Sequence, residues 1–221
     1  MENTVDKNDL EAISLFPTTI YKASAPEFID VVRTAGINST PTEEELKAHG
    51  INKSELYPVD MSGDITYDPT VETFGKYIIQ TAFNILVDQG FDMSNLVTVF
   101  QSMWMQEHHK FSGMEQHVHG EGSQLIGFYF IDVPENSSLI MLHDPRPGKV
   151  QINLRPADHE NVGYASPHAF MKPQAGDLIL TNSWLPHSFT KHGSDEPLRF
   201  IHINIGVQQN PNAVCEAPTI V

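Results

Sequence analysis

From residue 95 onward the chain stops reading as helix and becomes a series of short apolar segments divided by turns. LVTVFQSMWMQ (96–106), QLIGFYFIDV (124–133), SSLIMLHD (137–144), GDLILTNSW (176–184) and LRFIHINIGV (198–207) are rich in β-branched and aromatic residues. Such residues fit a pleated, half-buried surface. VPENSS, DPRPGK, KPQAGD and KHGSDEP separate them and carry the Pro, Gly, Asn and Asp that turns require. Five or more strands at this spacing restrict the fold to a sandwich, a jelly roll or a barrel.

Upstream of residue 95 the pattern differs. ISLFPTTIYK (13–22) is β-prone but interrupted by Pro17, which suggests an edge strand. Residues 40–49 predict a short helix, with Thr40 or Thr42 as cap, acidic Glu43 to Glu45 in the first turn and Gly50 as stop. A second helix starts at Asp68-Pro69 and runs to Gly90, with Val71, Phe74, Ile78, Ala82 and Ile85 forming an apolar stripe. Residues 1–12 are expected to fray. The organisation expected is a single domain over 1–221. A helical layer and edge strand occupy 1–94, and a β core occupies 95–210.

Composition narrows the function. With 28 acidic and 13 basic residues the formal net charge is −15. That argues against a nucleic-acid partner, which needs clustered Lys and Arg, and against an anionic membrane surface. No apolar run is long enough to span a bilayer. The N-terminal stretch has neither the basic nor the apolar part of a signal peptide, so the expected compartment is cytoplasmic. One cysteine, Cys215, excludes an internal disulfide framework and a cysteine-based zinc site.

Histidine is the unusual count: eleven, ten of them from His108 to His202. In His117-Val118-His119-Gly120-Glu121, an extended backbone would put residues 117, 119 and 121 on one face. Two of them could bind one metal from a single strand, either His117 with His119 or His119 with Glu121. His187, in LPHSF after the strand GDLILTNSW, is the natural distant third. Three nitrogens, or two with a carboxylate, select a first-row transition metal and leave positions open for ligands. Against this stands the plainer reading of solvent-facing histidines, which a bare His-x-His alone would favour. The glycine-rich turn into the most apolar strand and the strand-end position of His187 weigh toward the metal.

Arg199 lies in a strand otherwise made of Leu, Phe, Ile and His. A buried arginine needs a carboxylate, and its fork suits the bidentate grip of a dicarboxylate ligand. The plainer alternative is a pair with a surface Glu or Asp. His108 and His109 are expected in a solvated loop. His202 falls on the opposite strand face from Arg199 and is expected to pack. Met103, Trp104, Met105 and Phe100 read as core. The long stretch 145–168 is expected to be a lid or substrate loop.

Taken in order, these motifs resemble the 2-oxoglutarate- and Fe(II)-dependent oxygenases, and more narrowly a bacterial and phage family within them. The segments that carry the resemblance are Leu15-Phe16-Pro17-Thr18, Trp104, His117-x-His119, Gly127-Phe128-Tyr129-Phe130, Asp144-Pro145-Arg146, Trp184-Leu185-Pro186-His187 and Arg199. The resemblance implies a mainly β fold with N-terminal helices, a double-stranded β-helix or cupin-like jelly roll. It implies Fe(II), 2-oxoglutarate as cosubstrate and O2. By position, His117, His119 and His187 would be metal ligands, with Glu121 as the rival third. Arg199 would hold the distal carboxylate of 2-oxoglutarate. Ile201 stands where relatives often have Ser or Thr, so Tyr129 or Asn204 would supply the missing polar contact. The substrate would be a small molecule or peptide. Two alternatives remain open: a cupin-type metalloenzyme without 2-oxoglutarate, and a non-catalytic jelly-roll module.

Overall fold

The computed structural model describes residues 11–51, 58–148 and 154–212. Its elements run β1 (Ile20–Ser24), α1 (Ile29–Asn38), α2 (Glu43–Ala48), β2 (Val59–Met61), α3 (Glu72–Asp88), β3 (Leu96–His108), β4 (Met114–His117), β5 (Ser123–Asp132), β6 (Ile140–His143), β7 (His168–Met171), β8 (Asp177–Asn182), β9 (His187–Phe189) and β10 (Leu198–Gln209). Two sheets form. The larger has the order β1-β8-β5-β10-β3-β2 and the smaller β4-β9-β6-β7. Every pairing is antiparallel. This is a jelly roll with helices on the outer face of the larger sheet, the architecture expected from the sequence.

The five expected core strands form within a few residues of their expected limits, and the five short strands β2, β4, β7, β9 and β1 complete the sheets. The edge strand begins later than expected, at Ile20, beyond Pro17. No helix is expected from the sequence over 29–38, yet α1 stands there. Its apolar face is brief, with Val32, Ala35 and Gly36 buried. Gly36 lets α1 approach β3: an added Cβ would lie 2.7 Å from the Met105 side chain. Helix α2 has the expected cap at Thr42, whose hydroxyl accepts from the Glu45 amide while the Glu45 carboxylate accepts from the Thr42 amide.

Alternation along the strands divides the buried residues into two sets. Toward the helices point Leu125, Tyr129, Ile131, Leu178, Leu180, Ile201, Ile203 and Ile205, meeting Phe74, Ile78, Ala82 and Ile85 of α3. Phe74 packs on Tyr129 at 4.9 Å between ring centres. Burying each large apolar side chain here contributes about 1.5–3 kcal/mol, which is why α3 forms where its stripe predicts. Toward the interior between the sheets point Ile126, Phe128, Phe130, Leu198 and Phe200, meeting Leu142 and Phe189 of the smaller sheet.

Candidate metal centre

The four-residue strand β4 ends at His117, directly across from His187 at the start of β9. After His117 the chain leaves the ladder, but the His119 amide still donates to the Ser183 carbonyl at 2.9 Å. The His119 ring lies stacked with that of His187, with ring centres 5.3 Å apart. On β10, His202 lies between Trp104 of β3 and Phe128 of β5. Ligand atoms of His117, His119, His187 and His202 all lie within 4.8 Å of one another. His187 and His202 are fully buried and form the floor, while His117 and His119 are half-buried at the mouth. Val118 and Trp184, each about half exposed, flank that mouth.

Two of the rings, those of His117 and His187, are held as metal-ligating histidines usually are, with one nitrogen fixed and the other free. His117 Nδ1 is 2.8 Å from the Glu115 carbonyl oxygen and His187 Nδ1 is 3.0 Å from that of Leu185. A carbonyl only accepts, so each Nδ1 carries a proton and Nε2 is the nitrogen left to bind a metal. Nε2 of His187 and of His119 is buried without a hydrogen-bond partner. Burial pushes the imidazoles of His119 and His187 down to about 4, with the neighbouring histidines adding to the effect. His202 is driven well below its ordinary value for the same reason. Neutral, oriented and unpaired imidazoles are what a divalent first-row metal needs. Iron therefore fits this donor set.

Glu121 is not part of the cluster. It is exposed, in a left-handed turn conformation (φ 56°), and its backbone carbonyl accepts from the Gln101 amide. The alternation that would align residue 121 with 117 and 119 ends when the chain turns at 120–122.

Arg199 is also not at the histidines. Leu198 and Phe200 point inward, so Arg199 points to the helical side. There it pairs with Glu107 and, at 3.1 Å, with Asp132, which in turn accepts from Arg33 at 2.8 Å. The pairing expected as the plainer alternative is the one that forms. Among the described residues no lysine or arginine is buried, and only Arg33 and Arg199 are half-buried. An arginine anchor for the distal carboxylate of 2-oxoglutarate is thus not offered by this interior.

Tyr129 lies on the helical side as well. Its hydroxyl donates to the Ala25 carbonyl at 2.6 Å, and burial pushes it up to about 12. Asn204 does face inward. Its amide nitrogen donates to Ser102 Oγ at 3.0 Å and its Oδ1 is buried without a partner.

Two further corrections concern histidines. His108 ends β3 fully buried, with its Nε2 3.0 Å from the Gln106 amide nitrogen. His109, beside it, pairs with Asp60 at 2.9 Å. His108 therefore does not lie in a solvated loop, whereas His109 follows the strand end with its side chain 39% exposed. His202, expected only to pack, lies within ligand distance of the other three. The signal for it was present: His202 shares the inward parity of Leu198, Phe200 and Asn204. The long stretch 145–168 lies partly outside the described residues. Where it is described, Arg146 stacks on Tyr164 at 4.5 Å and pairs with Asp144.

Residues 102–204 match the family described as "Putative 2OG-Fe(II) oxygenase". No curated protein matches the chain by sequence. Among solved structures, the chain is similar to AviO1 from Streptomyces viridochromogenes Tue57, at 14% identity and a TM-score of 0.55, covering 91% of this chain and 93% of that one. It is similar to a Pseudomonas putida prolyl-4-hydroxylase, at 11% identity and a TM-score of 0.52 over 86% and 92%. It is also similar to a viral collagen prolyl hydroxylase from Paramecium Bursaria Chlorella virus-1, solved with 2OG, at 11% and 0.53 over 84% and 94%. At these identities the structures speak for the jelly-roll fold, and the sequence match over the strands that carry the histidines speaks for the family. Over residues 102–204 the chain is therefore similar to the 2-oxoglutarate- and Fe(II)-dependent oxygenases in sequence, and it shares their jelly-roll fold.

Proposed function

We propose that this enzyme oxidises a C–H bond of a small molecule or peptide at an iron held by His117, His119 and His187. The observation that carries the reading is the convergence of three imidazoles at two paired strand ends, two of them with Nδ1 tied to backbone carbonyls. When bound, Fe(II) with 2-oxoglutarate and O2 supplies the oxidising equivalents, and the protein contributes binding and orientation.

The chain's own residues divide the remaining work. The Leu185 carbonyl holds the His187 ring in one orientation and tautomer, and the Glu115 carbonyl does the same for His117. Phe128 meets the rings of His187 and His202 edge-on at 5.5 and 5.0 Å, closing the floor to water. Trp184 and Val118 at the mouth offer apolar surface to a substrate. No general acid or base is assigned. Net charge of −15 disfavours a nucleic-acid substrate, and no described helix is long and apolar enough to cross a membrane. We take the setting to be cytoplasmic, in keeping with a single cysteine.

The test is anaerobic titration of the metal-free protein with Fe(II), followed by 2-oxoglutarate, recording the visible spectrum. A metal-to-ligand charge-transfer band is expected in the wild type and absent in His187→Ala. Iron bound with no band at saturating 2-oxoglutarate would favour the cupin-type reading, for which the all-histidine cluster is the specific support. Failure to bind iron would remove the enzyme assignment.

A further inference from the structure

We propose that His202 is a fourth nitrogen ligand of the metal centre in the absence of cosubstrate, and that it gives way when the keto acid binds. The inference rests on the iron site proposed above and concerns a residue outside its three-histidine set.

Position is the first support. His202 presents a ring nitrogen within 4.8 Å of the ligand atoms of all three other histidines. Its ring centre is 4.9 Å from that of His119. Burial is the second. The residue is 1% exposed and its Nδ1 has no hydrogen-bond partner. A packing residue at this position needs no ring nitrogens, and a buried polar atom left unpaired costs about 1–3 kcal/mol. Phenylalanine, the residue two positions earlier on the same face, would fill the space without that cost. A metal close to the ring accounts for an imidazole there.

Coordination number supplies the second half. A six-coordinate iron held here would have to share its positions among protein, keto acid and O2. Four imidazoles leave two, and a keto acid chelating through two oxygens fills both. No position would then remain for O2. One imidazole must leave for the three-ligand arrangement to form. His117 and His187 are restrained by carbonyls on Nδ1. His119 and His202 have no such restraint, and of the two it is His202 that lies flat on Trp104, with ring centres 4.3 Å apart and planes 8° apart. Trp104 is a ready resting surface for the released ring. Four neutral imidazoles also leave the full charge of a divalent ion uncompensated, which favours an incoming dicarboxylate where no arginine attends it.

Copper(II) serves as the probe. The metal-free full chain is loaded with one equivalent, the coordinated imidazoles are counted by pulsed and continuous-wave EPR, and affinity is measured by competition with a chelator. Wild type is expected to show four imidazoles. His202→Ala and the bulkier His202→Gln are expected to show three, with affinity at least tenfold lower. Circular dichroism of the metal-free variants checks that they fold. Unchanged imidazole count and affinity in both folded variants overturns the fourth ligand. If His187→Ala loses copper while His202 variants do not, the three-histidine site stands and only this inference falls. If His187→Ala also keeps its copper, the proposed site itself is wrong. For the displacement, Kd for 2-oxoglutarate is read from the Fe(II) charge-transfer band. Removing a competing ligand should lower it at least about threefold in His202→Gln. An unchanged or higher Kd overturns the displacement.

Discussion

The two faces of the six-stranded sheet are made from alternate residues of the same strands, yet they follow opposite rules. The helix-facing side buries Tyr129, Ile201 and Ile203 against α3, and its polar atoms are paired: Tyr129 to Ala25, Arg199 to Glu107 and Asp132. The inward side carries buried polar atoms without partners on Trp104, Gln106, His108, His202 and Asn204. Folding alone selects against such atoms. Where they gather on one face only, the cost is tolerated for a ligand that the polypeptide does not itself supply. The outer face therefore reads as stability and the inner face as chemistry.

The sharpest way to break that division is to damage each face and ask whether the other responds. Phe74→Ala removes a ring buried against Phe28 and Tyr129. It is expected to cost about 3–5 kcal/mol in denaturant unfolding while metal affinity of the folded protein stays within twofold. A parallel loss of affinity would mean that the helical layer positions the histidines.

His187→Ala is the converse. It should weaken metal binding by more than about a hundredfold, roughly 3 kcal/mol. In the metal-free protein it should change stability by less than Phe74→Ala does, because it removes an unpaired buried Nε2 along with the packing. Calorimetric titration and thermal unfolding of the metal-free form would check both halves.

His108 gives a pH test of the inner face away from the cluster. Burial first, then His192 and His109, push its imidazole from 6.5 down to about 4. The unfolded chain takes up the proton near 6.5 and the folded one only near 4. Its contribution is therefore full above pH 6.5 and is lost as pH falls toward 4. Between pH 7.5 and 5 the loss from this one group is about 2 kcal/mol. Metal-free His108→Gln should lose about that much less stability than wild type over this range, as measured by urea midpoints. Equal slopes would show that His108 is accessible to water.

How much of this was legible in the sequence depended on whether parity or context decided the outcome. Strand segments with uninterrupted β-branched and aromatic residues formed where expected. Helix α3 formed because its stripe spans four turns. Helix α1 was missed because its buried face is only Val32, Ala35 and Gly36, and such small residues leave little periodic signal. His117, His119 and His187 could be singled out because two stand in one short motif and the third ends a strand. The opposite parity of Arg199 and His202 was also legible. Which of the two faces inward was not, since that depends on which side the helices cover. Taking Arg199 as the inward residue placed both residues on the wrong face. Glu121, the rival third ligand, lies away from the cluster for a local reason: strict alternation holds only inside a ladder, and this one ends at His117.

Arg199 closes the comparison with the smallest effect. Its guanidinium is held by two carboxylates on the helical side, with side-chain exposures of 27% for Arg199, 15% for Glu107 and 26% for Asp132. Arg199→Met keeps most of the volume and removes the charge. Glu107 would retain His109 at 3.2 Å and Asp132 would retain Arg33, so neither carboxylate would be stranded. Partial exposure screens what is lost, and the expected cost is about 1 kcal/mol in unfolding free energy. Affinities for iron and for 2-oxoglutarate, read from the same charge-transfer titration, should stay within twofold of wild type. A tenfold or greater loss of 2-oxoglutarate affinity with iron binding intact would put Arg199 at the cosubstrate. It would also require β10 to present its other face inward, so one substitution on the outer side tests the assignment of both.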